Sequence, residues 1–250
     1  MMDAGKAKAQ YLRLTVTGNE KNGLSGAIWN LKVFNGGKNP TSSTDMRFGG
    51  ESTEAAPQRK GLIFEIDADD YALKGNLSRI LNRRDKTTGF NAVGQNVPVR
   101  LKDNKSAFIF NGMQEFRSDF SLGKSFTGNS PYTLMAWIYM ENMSVNECIA
   151  DLTNARGELE KVVFGYGTDP QAGVVSHHGG YEDMGLQGLE ATKRWMLLSV
   201  TFDGFMERIY LNGKLMKEKN IVLRLPLSDF VTIGKKFGEG QAFRNSLHSL

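Results

Sequence analysis

The segment RWMLLSVTFDGFMERIYLNGKL, Arg194–Leu215, constrains the fold more than any other part of the chain. Leu198, Val200 and Phe202 alternate with Leu197, Ser199 and Thr201, the two-residue period of a strand with two distinct faces. Asp203-Gly204 and Asn212-Gly213 interrupt the run on either side of Ile209-Tyr210-Leu211. Such dipeptides supply the positive φ angles that tight hairpins demand. The block reads as strand, turn, strand, turn, strand, and commits this part of the chain to antiparallel β structure.

The same texture recurs through most of the 250 residues. Strand-like runs fall at Leu62–Asp67, Val97–Leu101, Ala107–Phe110, Tyr132–Tyr139, Glu147–Leu152, Lys161–Gly165 and Gly173–Ser176. They return at Ile221–Leu225, Phe230–Ile233 and Ser246–Leu250, whereas only Tyr71–Asn82 looks helical, and Gly75 weakens it. Many short strands with Gly and Asn turns predict an all-β sandwich or barrel. Upstream, YLRLTVT and AIWNLKVF predict two more strands, followed by a polar stretch rich in Gly, Pro, Ser and Thr, the composition of a linker or long surface loop. The organisation read from the sequence is a β-hairpin at 1–35, a linker at 36–60 and a β-domain at 61–250.

Charge and cysteine content exclude several classes. A net charge of +4 is mild at this length, and the densest basic cluster, Arg83-Arg84 near Lys86, has no interleaved aromatics, so no nucleic-acid partner is expected. Cys148 is the single cysteine, in an apolar run; no intrachain disulfide can form, and an inert buried thiol is expected. No window approaches the ~18 apolar residues of a membrane helix, so no membrane insertion is expected, and MMDAGKAKAQ has no apolar signal core. No glycine-rich loop opens a helix in the way phosphate binding requires.

The candidate chemistry is sparse. In Glu65-Ile66-Asp67-Ala68-Asp69, a strand would project Glu65, Asp67 and Asp69 from one face, which can set two carboxylates across a glycosidic bond. Asp67, Asp69 and Asp70 could instead lend oxygens to Ca²⁺, which takes six to eight such ligands, with Asn111, Asp183 and Asp203 as further donors. His177 and His178 face opposite ways on a strand, and the third histidine, His248, is remote in sequence, too little for a zinc site. A sugar site needs an aromatic face and planar polar groups; His178, Tyr181 and Asp183 in a glycine-flanked loop offer both, with Tyr166 and Arg156 expected on neighbouring strands. Trp137 and Trp195 sit within strand patterns and are read as core.

Five pieces taken in order carry a resemblance: LIFEIDADD, AFIFNG, SPYTLMAWIYM, WMLLSVTFDG…IYLNGKL and DFVTIG. From about Leu62 to Leu250 the chain resembles the laminin-G-like branch of the concanavalin A-like lectin/glucanase superfamily. The loop VVSHHGGYEDMGL also looks like a segment of bacterial relatives attached to secreted carbohydrate-active proteins. The resemblance implies a two-sheet antiparallel jelly-roll β-sandwich and calcium held at the loop rim. It further implies a non-catalytic module that binds carbohydrate or glycoprotein, in a larger extracellular, cell-surface or periplasmic bacterial protein with flanking domains. Glu65, Asp67 and Asp69 are similar to the Glu-x-Asp-x-Glu signature of the endo-glucanases, with Asp replacing the final Glu. The alternative it implies is therefore a glycoside hydrolase using Glu65 and Asp69; a purely structural protein-interaction module is a third reading. Trp195-Met196-Leu197 stands where many relatives carry Trp-His-His. The last strand stops at Leu250, short of the tail usual in relatives, which implies a truncated closing strand. The hairpin at 1–35 resembles the end of a discoidin-like, galactose-binding-type domain, and is read either as its remnant or as edge strands of the sandwich.

Overall fold

The computed structural model describes residues 61–72, 74–124, 126–145, 147–152, 162–169, 173–178, 183–235 and 242–250. The hairpin expected at 1–35 and the linker at 36–60 lie outside the described residues.

The strands, in chain order, begin with β1 (Asn76–Leu77), β2 (Arg79–Leu81), β3 (Gly89–Gly94), β4 (Val97–Lys102), β5 (Lys105–Ile109) and β6 (Gln114–Ser118). Then come β7 (Tyr132–Tyr139), β8 (Cys148–Asp151), β9 (Val163–Asp169), β10 (Gly173–His178) and β11 (Met184–Leu186). The series ends with β12 (Trp195–Phe202), β13 (Met206–Leu211), β14 (Lys214–Asn220), β15 (Thr232–Ile233) and β16 (Ser246–Ser249). They form two eight-stranded sheets. Sheet one runs β1-β4-β5-β16-β7-β12-β13-β14, and sheet two β11-β10-β9-β8-β15-β6-β3-β2. Every strand pair is antiparallel. This is the expected sandwich.

The opening feature of the sequence explains the packing. On β12, Met196, Leu198, Val200 and Phe202 face the core, as do Leu134, Ala136 and Ile138 on β7, to which β12 pairs along its whole length. Sheet two answers with Phe90, Phe116, Ile149, Phe164 and Ile233. Phe108 of β5 meets Phe116 of β6 edge to face, ring centres 5.8 Å apart, and Phe110 does the same with Phe116 and Phe243. These geometries add to the burial of large rings. At the second turn Asn212 and Gly213 have φ of 50° and 77°, as a two-residue hairpin requires. The first turn is built otherwise: Asp203 Oδ1 accepts N–H bonds from Phe205 and Met206.

Three expectations change. Leu62–Asp67 is not a strand: the Glu65 N–H is taken by Asn82 Oδ1, its carbonyl by the Arg83 N–H, and Ile66 exchanges backbone bonds with Leu250. Tyr71–Asn82 is not a helix but the end of a 3-10 turn (Ala68–Tyr71) followed by β1 and β2. Ile221–Leu225 is not a strand either, and within it only Leu225 makes a bridge, to Gly128; the last strand, β16, is seated between β5 and β7 inside sheet one.

Candidate functional site

The outer face of sheet one is defined by the residues that alternate with the core positions. Met135, Trp137 and Tyr139 on β7, Trp195, Leu197 and Ser199 on β12, and Tyr210 on β13 point away from the core cluster, and none belongs to it. Trp137 pairs across the ladder with Leu197, and Tyr210 with Ser199. This corrects the placement of Trp137 and Trp195 in the core. Both faces of β7 are apolar, so alternation alone could not say which side is buried.

One end of this face is packed by the chain itself. Trp195 meets Tyr139 and His248 edge to face, at 5.6 and 5.8 Å between ring centres. Its Nε1 donates to the Lys102 carbonyl at 3.1 Å. The Lys102 ammonium lies 4.5 Å from the Tyr139 ring centre and pairs with Glu141. The remainder, centred on the half-buried Trp137 and Tyr210, carries the half-buried Thr201 and the Arg208 guanidinium, which Asp203 and Glu218 hold in place, with Ser199 buried among them. With strands about 4.8 Å apart and a rise of about 3.4 Å per residue, Trp137 and Tyr210 are separated by about 12 Å.

The acidic opening segment is organised by an arginine that sequence reading passed over. Asp67 caps the 3-10 turn, its Oδ1 accepting the Asp69 N–H at 2.9 Å, so Glu65, Asp67 and Asp69 do not line one face of a strand. Arg83 donates through Nη1 to Asp67 Oδ2 at 2.6 Å and, in bidentate fashion, to Asp70 at 2.5 and 2.8 Å. The same nitrogen is 3.9 Å from Glu65 Oε1. The hydrogen bond from Arg83 holds the Asp70 carboxyl below the usual carboxylate range. Asp67, Asp69 and His248 do bring ligand-type atoms within 4.8 Å of one another. A guanidinium on Asp67 and Asp70 nevertheless places a fixed positive charge where Ca²⁺ would need those oxygens, and the donor set does not fit that ion.

The loop candidates divide. His178 ends β10, its backbone opposite Val163, which in turn lies opposite Asp151 of β8. Arg156 and Tyr181 lie outside the described residues. Asp183 is exposed just before β11. Tyr166 is a core residue beside Phe164; its hydroxyl donates to the Glu190 carbonyl at 3.0 Å, and burial pushes it up to about 12. Of the remaining oxygen donors, Asp203 binds Arg208, and Asn111 Oδ1 accepts the Met113 N–H. Cys148 is buried, as expected, and forms no disulfide.

Two antiparallel sheets packed over one core, joined as a jelly roll, define the structural class. The laminin-G-type model of the Concanavalin A-like lectin/glucanases superfamily matches residues 117–250; the chain belongs to that superfamily. No curated protein matches it in sequence. Among solved structures it is similar to domain 4 of AbnA, a GH43 extracellular arabinanase from Geobacillus stearothermophilus, solved with arabinotriose. There the TM-score is 0.55 and the identity 12%, over 74% of this chain and 88% of that one. It is also similar to a Trypanosoma rangeli sialidase at a TM-score of 0.50 and 15% identity, over 74% of this chain but 29% of the sialidase. At these identities the likeness is one of fold.

Proposed function

We propose that this chain is a non-catalytic carbohydrate- or glycoprotein-binding module whose ligand lies on the outer face of sheet one, against Trp137 and Tyr210. The observation that carries the reading is the pair of half-buried aromatic side chains on a sheet face turned away from the core, with Ser199, Thr201 and Arg208 beside them. Aromatic rings take the C–H face of a sugar while hydroxyls and charged groups take its hydroxyls. Their spacing of about 12 Å suits an oligosaccharide lying across the strands rather than one terminal sugar. The arabinanase domain, which was solved with arabinotriose, supports this by analogy of fold. Placement outside the cell, within a larger bacterial protein, goes with the same reading.

Binding to a panel of immobilised plant and microbial polysaccharides tests the proposal. Retention on at least one glycan, lost in Trp137→Ala without loss of fold, is expected. No retention on any of them would leave the protein-interaction reading standing. Reducing-end release that disappears in Glu65→Gln would replace binding by hydrolysis. Against hydrolysis by Glu65 and Asp69, Glu65 lies beside Arg83 and Asp69 sits in the 3-10 turn rather than on one strand face with it.

A further inference from the structure

We propose that Arg83 is the resident cation of the acidic opening segment, standing in for the calcium ion that the resemblance to this superfamily implies, so that the domain folds independently of Ca²⁺. Glu65, Asp67 and Asp70 come from a segment of six residues, and all three carboxylates turn toward one guanidinium. The arginine is delivered by the turn between β2 and β3, which is built to hold it. Asn82 Oδ1 accepts from the Glu65 and Arg84 N–H groups, and its amide donates to the Ile63 carbonyl and to Thr88 Oγ1. The Arg83 N–H itself donates to the Glu65 carbonyl at 2.8 Å. Asp85 closes the turn by accepting from the Thr87 and Thr88 N–H groups, both at 2.9 Å.

The backbone that carries Arg83 is thus fixed by bonds other than those its guanidinium makes to the carboxylates. The planar fork then makes two parallel bonds to Asp70, the geometry for which a guanidinium is suited. What a divalent ion does elsewhere, drawing several carboxylates to one point, is done here by a side chain. Asp67 carries the effect inward: it bridges to Ser249 at the end of β16, and its Oδ1 is 3.9 Å from His248 Nε2. The cluster therefore fastens the start of the domain to the strand that closes sheet one.

Thermal melting of the wild type and of Arg83→Met, each with EDTA and with CaCl₂, tests the assignment. The wild type is expected to melt at one temperature in both solutions. Arg83→Met, left with three facing carboxylates, is expected to melt about 5 °C lower in EDTA and to regain most of that in calcium, but not in sodium chloride of equal ionic strength. A fall in the wild-type Tm on chelation would overturn the proposal, as would an Arg83→Met protein indifferent to calcium or rescued equally by sodium. Should Arg83→Met not fold, terbium luminescence on the wild type and on Arg83→Lys decides: no saturable uptake is expected in either, and uptake by the wild type overturns it.

Discussion

Asn245 donates its side-chain amide to Glu147 Oε2 at 3.0 Å, across 98 positions of sequence. The two residues stand at the entrances of β16 in sheet one and β8 in sheet two, so the bond joins the two layers at a buried point. Glu147 also accepts the Ser144 N–H at 2.9 Å and the Arg244 N–H at 2.8 Å, while Asn245 Oδ1 accepts from Glu141 at 2.9 Å. Glu147→Ala removes the acceptor of the Ser144 and Arg244 N–H groups and leaves the Asn245 amide only the Asn142 carbonyl, and a loss of about 2 kcal/mol is expected in urea unfolding.

Burial pushes the Glu147 carboxyl above its ordinary value of 4.5, against the pull of those hydrogen bonds. The native state therefore holds the proton more firmly than the unfolded chain. Between 4.5 and the raised native value, stability should fall as pH rises. Urea midpoints taken across pH 4 to 7 check this, and the Glu147-dependent slope should vanish in Glu147→Ala.

Asp85 carries the opposite sign. Hydrogen bonds from the Thr87 N–H, and then from the Thr88 hydroxyl and N–H, hold its carboxyl down to about 2. Its contribution is present above the ordinary value of 3.8 and is lost as pH falls toward 2. An NMR titration of the Asp85 side chain should give a midpoint near 2. Asp85→Asn should remove that part of the acid sensitivity, and a midpoint near the ordinary value would show that the turn is not held as described.

Gly234 follows β15 with φ of 85°, and a methyl group there would run into the ring of Phe110, itself 2% exposed. Gly234→Ala combines a left-handed backbone with overpacking, and about 3 kcal/mol of destabilisation is expected. Equilibrium unfolding compared with Gly188→Ala, at φ of 74° with nothing within 4 Å, separates the packing cost from the backbone cost.

Core and outer face should respond differently to the same truncation. Phe116, fully buried between the sheets, should lose about 3–5 kcal/mol on mutation to alanine. Trp137→Ala and Tyr210→Ala should lower Tm only slightly while weakening glycan retention at least about tenfold, the loss of one aromatic stacking contact. Equal losses of Tm at all three positions would place Trp137 and Tyr210 in the scaffold instead.

Much of the architecture was legible because alternation and turn dipeptides are local. β7 has the expected limits, Tyr132–Tyr139, and β12 and β13 start one and two residues before the strands expected at Met196–Phe202 and Arg208–Leu211. β6 was not legible: its sequence QEFRS is mostly polar, yet Gln114, Glu115 and Ser118 are all buried. Their partners come from elsewhere in the fold, such as Gln95 Oε1, which accepts from the Gln114 amide, and the Val231 N–H on Ser118 Oγ. Arg83 was hidden for the same reason, as a basic residue in a turn with its acids 13 to 18 positions away.

By itself, the sequence determined that the chain forms antiparallel strands with two-residue periodicity, turning at Asn212-Gly213, and that Cys148 has no disulfide partner within the chain. Only the tertiary structure decided which face of those strands is buried. Met135, Trp137 and Tyr139 are as apolar as Leu134, Ala136 and Ile138, so periodicity separates the two sets without ranking them. The second sheet ranks them, because it covers Leu134, Ala136 and Ile138 and leaves Trp137 on the opposite face of sheet one.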